Sequence, residues 1–397
     1  MNGCAAFRIP QLRPAGMRRQ VPPPRSHLYA DLRIGLNEEG IGMEQQNLKQ
    51  HKSKYALSSV FFLLLLGITF YWIFRQFHIS ELLAVMDGLK GGWLLVGLVL
   101  TFGYIGGEGL GLHTILKALG HPIRLFSSFV YAATDLYYCG ITPSASGGQP
   151  MMLYYMAKDK VPLAKSGIAT LFNIVAYKIV LLITGTVTVI AKAGWIQKNG
   201  QWWWWLLIAI GFTVNAAMLV LCLLSMFSST LVKSIGTKGI RLLGRLHLVK
   251  HPEAKMGSLE AMINEYSAAA QIIRTNRGLL LRVIGCNFFQ RLCMFSITYC
   301  VYLSFGLSDL SYLDLLGIQI LCALSVDTLP FPGGVGMAEF MTQRLYGGVY
   351  PEAIQTPAML LTRGINFYFC MVVCAITTLL NHLRLWLRSM SNKEETL

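Results

Sequence analysis

The chain has 397 residues, 54% of them hydrophobic and only 13% charged, with a mean hydropathy of +0.50. Soluble domains carry about 25% charged residues, so this composition excludes an ordinary soluble globule and points to an integral membrane protein. The net charge of +15 would suggest nucleic acid in a soluble chain. In a polytopic one it reflects Lys and Arg holding cytoplasmic loops in place, and no nucleic-acid partner is expected.

Residues 1–42 hold six Arg, no Lys and the stretch VPPPR, without an apolar run, so they are no signal peptide. They read as a disordered tail or an over-called start; the second is favoured, because Met43 opens MEQQNLKQHKSK, a usual lead into a first span. Apolar windows of about 20 residues mark full spans near 55–74, 92–116, 166–191, 203–231, 278–305 and 358–383. Two further apolar regions, 126–157 and 312–343, are interrupted by Pro and Gly, and each is long enough for two half-membrane helices. QWWWW at 201–205 opens a span and reads as an interfacial aromatic belt. Met256, Leu259, Met262, Ile263, Tyr266, Ala270 and Ile273 fall at helical spacing and predict an amphipathic helix over 253–273, on the inner leaflet or on the bundle. Cys286, Cys293 and Cys300 recur every seven residues on one apolar face and read as packing residues. The nine cysteines form no C-x-x-C and no Cys/His ligand spacing, so no disulfide framework, metal or cofactor is expected.

Loop charge orients these segments. Residues 44–54 carry Lys49, Lys52 and Lys54 against Glu44 and are placed inside; loop 75–91 balances Arg75 and Lys90 with Glu81 and Asp87 and is placed outside. Loops 117–124 and 158–165 are both +2, so the 126–157 region should enter and leave from the cytoplasm as a re-entrant hairpin with TPSASGGQP at its tip. Segment 233–277 is +5 and inside; 306–312 and 344–357 lack a basic excess and are outside. The 312–343 region is then a second hairpin, entered from outside, with LPFPGGVGMAE at its tip. Loop 192–200 argues against this scheme, since it carries Lys192 and Lys198 yet is placed outside. The expected fold is all-α and polytopic: about six full spans plus two re-entrant helical hairpins, arranged as an inverted repeat with halves near 50–192 and 200–385. Broken helices at matching positions of inverted halves are the best sequence pointer to a midplane substrate site.

Ionisable residues within spans cost about 2.5–3.5 kcal/mol each on insertion scales, so they call for a reason. Glu108 lies in GYIGGEGLGLH, Asp135 in the first hairpin, Lys178 in VAYKIVLL and Arg291 in CNFFQRLCMF; Asp327 and Glu339 flank the second break, and Arg363 begins the last span. Both signs of charge together with both breaks suggest a polar cavity. Arg binds phosphate in bidentate fashion, and helix starts after SGGQP and PGGVG would offer free N–H groups to an anion. The cargo these residues suggest has an anionic, phosphate-like group and an apolar remainder. No Walker A, H-E-x-x-H or G-x-S-x-G sequence occurs, and GGEGLG lies within a span rather than after a strand. Movement without a nucleotide site would be energy-independent or gradient-coupled.

TPSASGGQP with the MMLYYM that follows, and LPFPGGVGMAE, resemble the two signature segments of the lysylphosphatidylglycerol synthase transmembrane family, also called the flippase-like domain family. The resemblance covers about residues 50–385, within a flippase-like domain of 43–385 and ahead of a cytoplasmic tail at 386–397. Full-length members join this module to a cytosolic transferase that lysylates phosphatidylglycerol from an aminoacyl-tRNA, and the module moves the product outward. No transferase domain is expected in this chain. What the resemblance implies is lipid handling at Pro143, Gly147, Gly148 and Gln149 in the first break and at Pro332, Gly333, Gly334 and Glu339 in the second. Ser146, Glu108, Asp135, Lys178, Arg291 and Asp327 complete the candidate lipid cavity on our reading of the residues. The expected activity is translocation or binding of an anionic or aminoacylated phospholipid such as lysylphosphatidylglycerol. Phosphatidylglycerol lysyltransfer and a role as membrane partner of a separate synthase stay open. The expected location is the cell membrane, with both termini cytoplasmic; a separate lipid-modifying enzyme and a homo-oligomer are open as partners.

Overall fold

A computed structural model describes residues 88–142, 145–199, 202–228, 252–326, 337–347 and 349–394, with side chains described except at 199, 252–261, 337–340 and 388–394. The only regular structure among these residues is helical, without a strand. In chain order the helices are α1 (Gly91–Ala118), α2 (Leu125–Ile141), α3 (Gly148–Lys158), α4 (Leu163–Asn199), α5 (Trp202–Phe227), α6 (Pro252–Thr275), α7 (Arg277–Ser304), α8 (Tyr312–Val326), α9 (Met337–Tyr346), α10 (Glu352–Arg363) and α11 (Cys370–Glu394). A π-helical turn, Gly364–Phe369, joins α10 to α11. The expected extension at 1–42, the first span at 55–74 and the basic stretch 233–250 lie outside the described residues.

Among the described residues, five helices are long and apolar enough to cross a bilayer: α1, α4, α5, α7 and the continuous run Glu352–Leu387. That last run starts six residues before the expected span. Pro357 sits inside it and lacks the N–H that the carbonyl four residues earlier would accept, and the π-helical turn follows seven residues on. The helix ends are set locally. α1 stops in a Schellman motif, with His121 N–H donating to Leu116 O at 2.9 Å and Gly120 N–H to Lys117 O at 3.2 Å. Gly120 takes φ +70°, which favours a residue without a Cβ. α7 begins under Asn276, whose side-chain oxygen accepts from Leu279 N–H at 2.9 Å.

The central contact is α1 against α7, two helices of 28 residues that begin 186 residues apart, at Gly91 and Arg277. They run antiparallel, because Lys90 N–H, at the start of α1, donates to Ser304 O at the end of α7 (2.8 Å). Small residues allow this close approach. A Cβ on Gly107 would fall 2.8 Å from Gln290 Cα, and one on Gly103 would fall 2.8 Å from Cys293 Sγ, so Cys293 is a packing residue. Around this pair, α2 packs on α11 and α8 packs on α4. The expected amphipathic helix is α6; it lies against α4, burying Ile263, Ala270 and Ile273.

The tryptophan run divides. Trp202 is exposed, as a belt residue should be, but Trp204 is buried against Trp195, with ring centroids 6.0 Å apart. Consecutive helical residues are 100° apart, so four in a row cannot all face lipid. Lys192 lies within α4 rather than in a loop, and it pairs with Asp314 at the start of α8. Its charge is therefore matched by a partner, which removes half of the loop-charge argument against the placement of 192–200.

Candidate functional site

The glycine-rich stretch around Glu108 is a packing surface that sets the carboxylate at a helix junction. Gly107 abuts α7; a Cβ on Gly109 would lie 3.0 Å from the α2 backbone at Ser128, and one on Gly111 would lie 2.5 Å from Asn173 Oδ1 on α4. Held among these helices, Glu108 accepts a hydrogen bond from Gln290 Nε2 at 3.0 Å. Asp135, on α2, stands beside it in electrostatic contact, and its Oδ1 is buried without a hydrogen-bond partner. Burial is what makes the pair consequential: both residues are over nine-tenths buried, where charge interactions are far stronger than in water.

Cations converge on the same space. The Arg291 guanidinium lies 3.9 Å from the centroid of the Tyr177 ring and 5.8 Å from that of Tyr104, within cation–π range of both. Lys178 donates to Asn215 Oδ1 at 2.7 Å, and Asn215 in turn donates to Gly211 O at 2.8 Å. Arg363, buried at the end of α10, lies over Phe367 at 4.6 Å. Asn287 Nδ2 donates to Asn173 Oδ1 at 3.0 Å, tying α7 to α4 beside the acidic pair.

Except for Asn215, these side chains line one cavity of about 580 Å³ to which every described helix but α6 contributes. Its wall holds Glu108, Asp135, Gln149, Lys178 and Arg291 of the residues expected from sequence. Gly148 does not line it but supports it. A Cβ there would meet Cys139 Sγ at 2.3 Å, Asp135 Oδ1 at 2.4 Å and Asp135 O at 2.7 Å, so the glycine lets the start of α3 press against the acidic residue. Gly147 plays the same part against Thr142, whose hydroxyl accepts its N–H at 2.9 Å. Neither has a positive φ; close approach is the reason for both. Ser146 is exposed at the turn rather than in the cavity wall. Pro143, Asp327, Pro332, Gly333 and Gly334 lie outside the described residues, as does the side chain of Glu339.

The wall also contains Arg363, marked in the sequence as a charge at the start of the last span, and residues the sequence reading did not assign to the site: Tyr104, Asn173, Tyr177, Asn287, Gln290, Gln319, Thr362 and Asn366. A signal for several was present. Tyr104 and Glu108, Asn173 and Tyr177, and Asn287 and Arg291 are each four apart in an otherwise apolar span, which puts each pair on one polar stripe. Asn366 and Phe367 come from the π-turn, a geometry frequent at functional sites.

The five apolar helices among the described residues, around a cavity carrying both signs of charge, define a polytopic membrane protein with a polar space in its bundle. The family model described as the lysylphosphatidylglycerol synthase TM region matches residues 55–374, and the chain belongs to that family. Membership supports a membrane lipid-related function. No curated protein and no solved structure matches the chain.

Proposed function

We propose that this protein holds the headgroup of an anionic or aminoacylated phospholipid, such as lysylphosphatidylglycerol, in the cavity and moves it between leaflets. The observation that carries the reading is the meeting of Arg291 and Arg363 with Glu108 and Asp135 in one buried space of about 580 Å³. Planar guanidinium groups suit a phosphate, and carboxylates suit an ammonium. A headgroup carrying both would find a partner for each, while its acyl chains stay outside in lipid.

The scaffold supports movement rather than static binding. We read it as an inverted repeat with two re-entrant hairpins, α2–α3 and α8–α9. α3 has 11 residues and α9 has 10, both well short of the roughly 20 needed to cross. The offset of 186 between α1 and α7 also relates Gly147–Gly148 to Gly333–Gly334. Antiparallel equivalents, and each hairpin's first helix packed on the other half's last span, are what such a repeat requires.

The test is reconstitution of the purified chain into vesicles containing lysylphosphatidylglycerol, with outer-leaflet amines titrated by an impermeant reagent. Lipid from the inner leaflet should become reactive far faster than in protein-free vesicles. Identical rates would overturn the proposal. Formation of aminoacylated lipid from phosphatidylglycerol and lysyl-tRNA would instead support the transferase reading.

A further inference from the structure

Two ion pairs outside the cavity occupy related places at its two ends. Asp159, the residue that ends α3, accepts from Arg384 Nη2 on α11 at 3.0 and 3.2 Å and from the Tyr131 hydroxyl on α2 at 2.7 Å. Beside it, the Tyr155 hydroxyl on α3 and His382 Nδ1 on α11 lie 3.2 Å apart. The second pair is Lys192, near the end of α4, with Asp314 in the first turn of α8. Asp314 is itself fixed, because it accepts from Ser311 N–H at 3.2 Å and from Ser311 Oγ at 2.7 Å in a capping-box arrangement.

Their positions follow from helix geometry. α4 starts at Leu163, four residues past Asp159, and at 1.5 Å per residue reaches Lys192 about 44 Å further on. A hydrocarbon core is about 30 Å thick, so the two pairs sit at opposite faces of the membrane. Each joins a hairpin to a long helix distant in sequence: α3 of the first hairpin to α11, and α8 of the second to α4. Both hairpins also contribute to the wall of the cavity.

We propose that Asp159–Arg384 and Lys192–Asp314 are the two gate latches of this protein. Each holds one hairpin against a helix of the opposite half, and release of one opens the cavity to that face alone. The proposal rests on the translocation reading above. A packing role for the pairs would be blind to side, whereas latches are side-specific.

The experiment uses the full chain in sealed membranes, with Cys139, on the cavity wall, kept as the sole cysteine and a small impermeant thiol reagent added from either face. Asp159→Asn should raise the labelling rate from its own face about two- to fivefold, the range expected from an ion pair worth up to about 1 kcal/mol, and leave the other face unchanged. Asp314→Asn should do the reverse. The exchange Asp159→Arg with Arg384→Asp should return labelling toward the parent rate. Should Asp159→Asn fail to purify, Arg384→Gln carries the same expectation. Unchanged rates, equal changes from both faces, or no recovery in the exchange variant would overturn the assignment. Because labelling involves no lipid transport, side-specific labelling with no lipid movement would refute the translocation reading and leave the latches standing.

Discussion

Gly106 and Gly107 are neighbours in one helix and should respond to alanine in opposite ways. At Gly107 an added Cβ would lie 2.8 Å from Gln290 Cα and 3.1 Å from its backbone nitrogen, while at Gly106 nothing lies within 4 Å. Overpacking costs typically about 1–3 kcal/mol, and an obstacle made of backbone belongs at the upper end. Alanine regains about 1 kcal/mol of helix propensity over glycine at either site. Gly107→Ala should therefore lose about 2 kcal/mol net, and Gly106→Ala should be neutral or gain up to about 1 kcal/mol. The functional effect should be larger than the stability effect suggests, because the displaced residue, Gln290, holds Glu108 and adjoins Arg291. Melting of the detergent-purified variants, with leaflet exchange measured on the same preparations, makes the comparison. Gly107→Ala should melt several degrees lower and exchange lipid at least tenfold more slowly than Gly106→Ala. Equal melting and equal exchange in the two variants would refute the close-approach account of the α1–α7 contact.

Gly148→Leu should abolish translocation while the protein still inserts and purifies as a monodisperse species, and Gly334→Leu, at the matching break, should do the same; wild-type exchange in both would reduce the breaks to packing kinks. Arg291→Ala should weaken phospholipid binding, and Arg291→Lys should restore it only in part, since an ammonium cannot offer a planar face to Tyr177 and a fork to phosphate together. A lower melting temperature with unchanged lipid affinity would make Arg291 a packing residue. A cysteine introduced as Pro162→Cys, alone in a cysteine-free chain, should resist an impermeant reagent added from outside; strong labelling there would turn the first hairpin into a crossing segment. Lys192 and then Ser311 hold the Asp314 carboxyl below the usual carboxylate range. The sign follows: the pair's stabilisation is present above the unfolded value near about 4 and lost as pH falls through the lower folded value. The melting temperature should drop in that acid window, and Asp314→Asn should flatten that part of the drop; an unchanged acid profile would show that the ion pair contributes nothing.

The sequence alone determined where the chain enters apolar surroundings. Hydropathy over about 20 residues is a local quantity, so α1, α5 and α7 fall close to their expected limits, whereas α4 runs eight residues past its expected end, through most of the expected loop 192–200. It also marked Glu108, Asp135, Lys178 and Arg291 as costly, because a charge in an apolar window is visible without any fold. Only the tertiary structure decided which of them meet. Glu108 and Gln290 are 182 residues apart, and no local pattern joins them; the glycines that bring α1 against α7 do. The same holds for Gly148. A glycine at such a break is explained either by a left-handed φ or by a close neighbour, and the packing of α3 on α2 selects the neighbour, Asp135. Trp204 was assigned to the interface by residue type but is buried beside Trp195, because helical rotation and the position of α4 set which face of α5 is covered. Periodicity places residues on faces of single helices, whereas contacts between faces depend on how closely the backbones approach, and in this bundle small side chains scattered over distant segments set that distance.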